Sequence, residues 1–238
     1  MSTKFTPIGG EKRSLHVQVA CEMARSIISG DLPQGEIIPG EMDLCTQFGV
    51  SRTALREAIK LLTSKGLLES KPKVGTRVRM QEYWNYLDSQ LLDWLIDMEK
   101  TEHLYQEFLS LRKAIEPEAC ACAARNATVE QRMQLSALFQ EMDRISKGFD
   151  HEGWVDADLE FHRLIFISTG NSFFLPFANV LTTMFKSFFH HASKRGTTCI
   201  EEHRLIYEAI MAGNAEKARQ ASEELLNQSD QELEAIQQ

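Results

Sequence analysis

Asp158 and His162 stand four residues apart in a stretch of helical periodicity, so both side chains project from one face toward the same point. His203, in a later segment of the same period, can complete a set of one carboxylate and two imidazoles. Such donors suit a divalent first-row metal such as zinc, which would in turn hold a carboxylate or hydroxy acid. Two other readings stand beside that one. The three side chains can hydrogen-bond a small organic anion directly, or the Asp–His pair can merely stabilise a helix surface. Arg112 is a further candidate for gripping a small carboxylate effector, because an inward guanidinium holds a carboxylate by two parallel bonds. Its alternative is an ion pair with Glu116, four residues on. Asn171 either donates to an effector hydroxyl or caps the helix that follows. His190 and His191 close an apolar helix, where one can line a cavity. Lys194-Arg195-Gly196 is a loop whose two cations either close over an anion or stay in water.

These residues need helices to position them, and the chain downstream of Gln81 supplies little else. The periodicity predicts helices at about 88–98, 101–125, 128–147, 152–169, 172–194, 199–212 and 214–236. Thr128 with Gln131 forms a capping-box pattern, Gly148 ends a helix, and Gly170-Asn171 breaks the next pair. Pro117 predicts a kink or break in its helix. The Phe and Met residues from Phe161 to Phe189 are read as core. Helices of this number and length make an antiparallel bundle.

Upstream, Pro39 to Ala58 reads as two short helices meeting at a tight turn. Met42, Cys45 and Phe48 face inward from the first, with Leu44 beside them. Gly49 takes the positive φ of a sharp helix exit. Ser51 caps the second helix, and Leu55, Ile59 and Leu62 line its buried side. Arg52 and Arg56 share one face near its start, offering guanidinium forks to guanine edges or phosphates. Lys65 to Arg79 then alternates like a hairpin, with Lys71, Pro72, Lys73 and Gly75 at its tip. The lysines can neutralise phosphates, and the glycine lets backbone approach a groove. An amphipathic helix from Leu15 (Leu15, Val19, Met23, Ile27) precedes the pair and stops at Gly30. This order is a winged helix-turn-helix.

Charge divides the same way. Residues 1–80 hold twelve Lys and Arg against eight Asp and Glu, whereas the 238-residue chain carries a net −8. A basic head on an acidic body suits a protein that approaches DNA by one face. It does not suit a nonspecific nucleic-acid coat. No apolar run reaches the roughly 18–20 residues of a membrane span. Met1 to Ser14 lacks a signal-peptide core and reads as a loose arm. Five cysteines without a C-x-x-C pair read as reduced thiols in a cytoplasmic protein.

The expected architecture is mostly α. Residues 1–14 form the arm, 15–80 the winged helix-turn-helix, 81–100 a linker and first helix, and 101–238 an all-helical effector-binding and dimerisation domain. The aromatics of Tyr83-Trp84-Asn85-Tyr86-Leu87-Asp88 are expected to wedge between wing and body.

Residues 15–79 resemble the DNA-binding domain of the GntR family of bacterial transcription regulators. The resemblance lies in Gly30-Asp31-Leu32-Pro33-Gln34-Gly35, Pro39-Gly40-Glu41, Val50-Ser51-Arg52-Thr53, Leu55-Arg56-Glu57-Ala58, Leu67-Leu68 and Gly75-Thr76-Arg77-Val78. It implies that Arg52 and Arg56 contact the operator major groove, Ser51 and Thr53 assist at phosphates, and Gly75 enters the minor groove. Some relatives carry an arginine where this chain has Met42.

The bundle is similar to the effector-binding FCD domain of the FadR-type branch. The matching segments are Leu111 to Ala119, Asp158-Leu159-Glu160-Phe161-His162, Gly170-Asn171-Ser172 and Glu202 to Ile210. The segment around Trp84, Leu87, Asp88, Leu92 and Trp94 looks closest to sugar-acid repressors of the galactonate type. A further histidine normally completes the family's metal site, one helix on; that position falls on Leu225, which cannot coordinate. The resemblance implies a homodimeric repressor on a pseudo-palindromic double-stranded operator, released by an organic acid and without catalytic activity. A metal-dependent enzyme acting on organic acids and a ligand-independent dimeric DNA-binding protein are the alternatives.

Overall fold

The structure, a computed structural model, describes residues 14–98, 101–148, 150–192 and 199–234. The chain divides into two compact units, Met1–Glu99 and Lys100–Gln238.

The first unit opens with α1 (Leu15–Ile28), which buries Val19, Met23 and Ile27 together with Ala20 and Ala24. Leu15, expected on that stripe, is the first residue of the helix and is exposed. Helices α2 (Glu41–Phe48) and α3 (Arg52–Ser64) form the helix-turn-helix. Gly49 takes φ 67° and ends α2, while the Ser51 hydroxyl accepts from the Ala54 amide at 3.3 Å and starts α3. The inward face of α2 differs from expectation. Leu44 and Phe48 are buried, Cys45 is half-buried, and Met42 stands in solvent. Residues four apart share a face, whereas Met42 lies two positions from Leu44 and so points away. On α3 the buried line is Leu55, Ala58 and Leu62, with Ile59 at its edge.

Gly66 turns the chain from α3 into the wing. Its φ is 80°, and a Cβ there would sit 2.1 Å from the Tyr83 carbonyl oxygen, so glycine is required on both counts. Strands β1 (Leu68–Lys71) and β2 (Gly75–Val78) pair antiparallel, Leu68 against Val78 and Lys71 against Gly75. Residues 35–38 run beside β2, held by Gly35 and Ile38 amides on the Val78 and Thr76 carbonyls.

The segment after the wing is pinned within this same unit. Trp84 is buried, its indole donating to the Arg79 carbonyl at 3.4 Å, and the Asn85 amide donates to the Lys65 carbonyl. Asp88 caps α4 (Ser89–Met98) through the Leu91 amide. It also takes the buried Lys65 ammonium at 2.6 Å, beneath the Trp94 ring.

The second unit contains α5 (Thr101–Asn126), α6 (Val129–Gly148), α7 (His151–Ser168), α8 (Leu175–Ala192), α9 (Ile200–Met211) and α10 (Ala215–Glu234). Among the described residues it is entirely helical. The central helix is α5, which packs against α7, α8, α9 and α10. Its second half (Ala119, Cys120, Ala121, Ala123, Ala124) is small and buried, letting neighbours approach from several sides. The helix continues through Pro117 without a break. Proline there denies the Lys113 carbonyl one amide donor, but burial in the bundle holds the remaining turns in place.

The caps fall where the sequence placed them. Thr128 and Gln131 bond each other's amides reciprocally, and Asn171 accepts from the Phe173 amide at 3.0 Å. Arg132 from α6 donates to the last carbonyls of two other helices, Ala124 on α5 and Ile210 on α9. The aromatic core reading fails at Phe173, which is exposed in the turn before α8, while Phe161, Phe166, Met184 and Phe185 are buried. Among the described residues no helix is long and apolar enough to cross a membrane.

Candidate functional site

On the winged unit, Arg52, Thr53 and Arg56 are exposed on the first turns of α3. Arg52 has no hydrogen-bond or ionic partner among the described residues, so its guanidinium is available to a ligand. Arg56 is oriented from α2, its Nε donating to both Glu41 oxygens at 3.0 and 3.2 Å. Ser51 uses its oxygen as the cap and keeps its hydroxyl hydrogen. At the wing tip Lys71, Lys73 and Gly75 are all exposed. Pro72 and Lys73 occupy the turn closed by the Val74 amide on the Lys71 carbonyl. Lys73 there adopts φ 64°, a left-handed backbone rare for a residue with a Cβ. Gly75 has φ 114°. Helix start and wing tip thus present separate basic elements of one compact unit.

The helical unit contains a different kind of site. Arg112, Glu116, Asp158, His162 and His203 are each at most 4% exposed. This burial removes the reading of Asp158 and His162 as a helix-surface pair. Helix α7 contributes Asp158 and His162, α9 contributes His203, and α5 contributes Arg112 and Glu116. The rings of Trp154, Phe161 and Phe185 stand against the imidazoles and keep their surroundings apolar.

The nitrogens of both histidines are assigned by their neighbours. His203 Nδ1 lies 2.7 Å from the Cys199 carbonyl oxygen, which can only accept, so that nitrogen carries hydrogen. His162 Nδ1 lies 3.1 Å from Glu116 Oε2. Each ring consequently turns Nε2 toward Asp158 Oδ1, at 2.7 Å from His203 and 3.5 Å from His162. Neither His203 Nε2 nor Asp158 Oδ1 has an aligned hydrogen-bond partner despite full burial. Their separation is short, but the donor direction misses the carboxylate. One ligand atom from each of the three residues lies within 4.8 Å of the others.

Electrostatics follow from this packing. Burial alone would push the Glu116 carboxyl upward, but the charges of Arg112 and His162 outweigh it and bring it down to about 2. Burial likewise opposes ionisation of Asp158, and the two histidines override it, holding this carboxyl far below its ordinary value. For His162, burial disfavours the imidazolium, yet Glu116 and Asp158 raise it to about 9. Without a cation, then, the two carboxylates on either side of His162 favour its imidazolium form.

The structure brings together Asp158, His162 and His203 as the sequence suggested. Arg112 reaches them only through Glu116, which it grips with Nε and Nη2. Asn171 stands on an exposed turn and caps it. Leu225 is buried on α10, and among the described residues no fourth His, Cys, Asp or Glu joins the three. The side chains of His190 and His191, and the loop Lys194 to Gly196, lie outside the described residues. Sequence reasoning treated Glu116 only as a partner for Arg112. Its signal was the pair of i,i+4 relationships, Arg112–Glu116 and Asp158–His162, in neighbouring helices.

A winged helix-turn-helix on one unit and a buried donor cluster within a second, helical one define a DNA-binding regulator with an effector domain. The chain belongs to the GntR family: residues 15–78 match the bacterial regulatory proteins of the gntR family, and residues 107–228 match the FCD domain. This is a non-catalytic class of transcription regulators, and the protein is not an enzyme. It is 35% identical over 219 residues to the uncharacterized HTH-type transcriptional regulator YieP of Escherichia coli K12, covering 92% of this chain and 95% of that one. The galactonate operon transcriptional repressor of the same organism is 25% identical over 223 residues, covering 92% and 96%. The solved structure of Lar from Listeria monocytogenes shares the fold, with a TM-score of 0.59 at 21% identity over 96% of this chain and 99% of its own.

Proposed function

We propose that the protein is a repressor of a sugar-acid or related organic-acid operon, released from its operator by a small carboxylate. A homodimer sets two α3 helices into successive major grooves of a pseudo-palindromic site. Arg52 reads a base edge, and Arg56, Ser51, Thr53 and the wing residues Lys71, Lys73 and Gly75 fix the register. The effector binds in the helical unit at Asp158, His162 and His203, which hold a divalent cation such as zinc. It shifts the protein toward a form whose winged units are mis-spaced for the operator, by no more than its differential affinity for the two forms.

The observation that carries this reading is the unsatisfied pair His203 Nε2 and Asp158 Oδ1, buried with His162 Nε2 turned toward the same oxygen. With both imidazoles neutral, their Nε2 lone pairs converge with the Asp158 carboxylate in a dry interior and fit a cation, and the tied outer nitrogens are the arrangement that metal-binding imidazoles require. A bound divalent cation supplies positive charge and Lewis acidity for carboxylate oxygens. The charges favour an anionic effector. With both histidines neutral, Arg112, Glu116 and Asp158 sum to −1, so a divalent cation leaves +1, which one carboxylate neutralises. Leu225 in place of a further ligand leaves coordination positions for the effector itself. The resemblance to the galactonate repressor supports a sugar acid as the class.

Fluorescence anisotropy on the DNA upstream of the protein's own gene tests the reading, with aldonates and hexuronates titrated in the presence and absence of chelator. Release by one acid that is lost on chelation supports it. Release unaffected by chelator removes the cation, and tight binding without release by any acid removes the sugar-acid effector.

A further inference from the structure

Arg112 looks from the sequence like the residue that grips the effector, yet its surroundings give it another role. The residue is 4% exposed, and its guanidinium lies over the Phe185 ring at 4.4 Å, with Phe108 at 6.0 Å. Nε donates to Glu116 Oε1 and Nη2 to Glu116 Oε2. Glu116 Oε2 also faces His162 Nδ1 at 3.1 Å. One carboxylate thus joins a fixed cation on its own helix to an imidazole on α7. The other nitrogen of that imidazole is turned toward Asp158.

We infer that Arg112 and Glu116 form a brace that holds His162 with hydrogen on Nδ1 and its Nε2 lone pair aimed at the Asp158 carboxylate. Arg112 is therefore a positioning residue for the cation site. The inference rests on the cation reading above. A neutral imidazole can carry its hydrogen on either nitrogen, and only one choice leaves Nε2 free to ligate. Glu116 makes that choice by placing Oε2 3.1 Å from Nδ1, and the Arg112 guanidinium, engaging both Glu116 oxygens, fixes the carboxylate in that orientation. His203 is oriented independently by the Cys199 carbonyl, so the brace acts on one ligand of three. With three protein ligands and Leu225 at the family's fourth position, a single misaimed lone pair removes a third of the protein donors.

The test measures zinc affinity of the full-length dimer by competition with a chromophoric chelator, for the unaltered protein and for Glu116→Gln, Arg112→Met, Arg112→Lys and the Arg112→Met/Glu116→Gln double variant. Outer partners of metal-binding histidines are worth about 10–100-fold in affinity, and that loss is expected for each of the first two. The double variant should be no weaker than the worse single one, because both act through the same imidazole. Arg112→Lys keeps the charge and should recover most of the affinity. In the zinc-loaded protein, nitrogen NMR should show His162 with hydrogen on Nδ1, and Glu116→Gln should populate the other form. A purely structural ion pair would not move that signature.

Unchanged zinc affinity in folded Glu116→Gln overturns the brace while leaving the cation site standing. Arg112→Met that keeps zinc but loses acid binding overturns it in favour of a direct effector contact. Absence of zinc binding in the unaltered protein overturns the cation reading itself and the brace with it. Should Arg112→Met fail to fold, the near-isosteric Glu116→Gln still decides.

Discussion

Arg52→Ala separates reading a base from holding a phosphate. Arg52 is exposed on the first turn of α3 and has no partner among the described residues, so truncating it removes nothing from the folded unit. Surface changes of that kind stay within about 0.5 kcal/mol of stability. The loss should appear wholly in operator binding. A bidentate contact to a base is worth about 1–3 kcal/mol, or roughly 5–150-fold in Kd per half-site at 1.4 kcal/mol per decade. The assay is anisotropy on the operator and on random duplex of equal length, each across a salt series. A base contact predicts a large loss on the operator, little on random DNA, and relaxed preference at one position in each half-site. A phosphate contact predicts equal loss on both and a salt slope smaller by about one per half-site. Equal loss on both duplexes, or a fall of several degrees in the melting temperature, would refute the reasoning.

Further expectations concern the wing, its turn and the buried cluster. Lys73→Gly relieves a left-handed residue, so the melting temperature should rise slightly while operator affinity falls and the salt slope drops by about one for each wing in contact. Gly66→Ala forces a methyl group to within 2.1 Å of the Tyr83 carbonyl at φ 80°. Calorimetry should show a loss of at least about 2–3 kcal/mol, since the strain of φ and a backbone clash act together. In metal-free protein, the Glu116 carboxyl brought from 4.5 to about 2 contributes on the order of 3 kcal/mol. A depressed carboxyl stabilises above its unfolded value, so that contribution should vanish as pH falls from about 4.5 to 2. Denaturant melts across this window should show the acid limb, and Glu116→Gln should flatten it.

Local signals with a single structural meaning were legible in the sequence. Thr128 with Gln131, Gly49 before Ser51, and Gly170-Asn171 each fixed a boundary, because capping needs particular atoms at particular offsets. Questions of facing were harder. In the eight residues of α2, either Met42 or Leu44 can begin an apolar line, and only the packing of Phe48 selects Leu44. Pro117 carries the same breaking signal whether a helix is alone or held inside a bundle. Of the buried cluster, Asp158, His162 and His203 were legible by type and spacing. Glu116 was not, since an Arg–Glu pair four apart is commonplace on a wet helix and informative only when buried. The Cys199 carbonyl has no signal at all, being an atom that every residue possesses.

That carbonyl gives the two histidines unequal mutational exposure. Cys199 caps α9 with φ 42° and ψ 38°, and its main chain alone sets the hydrogen on His203. Substitutions at 199 that keep this left-handed backbone, Gly and Asn foremost, leave the ligand aimed. Glu116 has no such protection, because His162 depends on a carboxylate that one codon change can abolish. Drift in a lineage should therefore be tolerated at the start of α9 and should silence the site when it reaches α5.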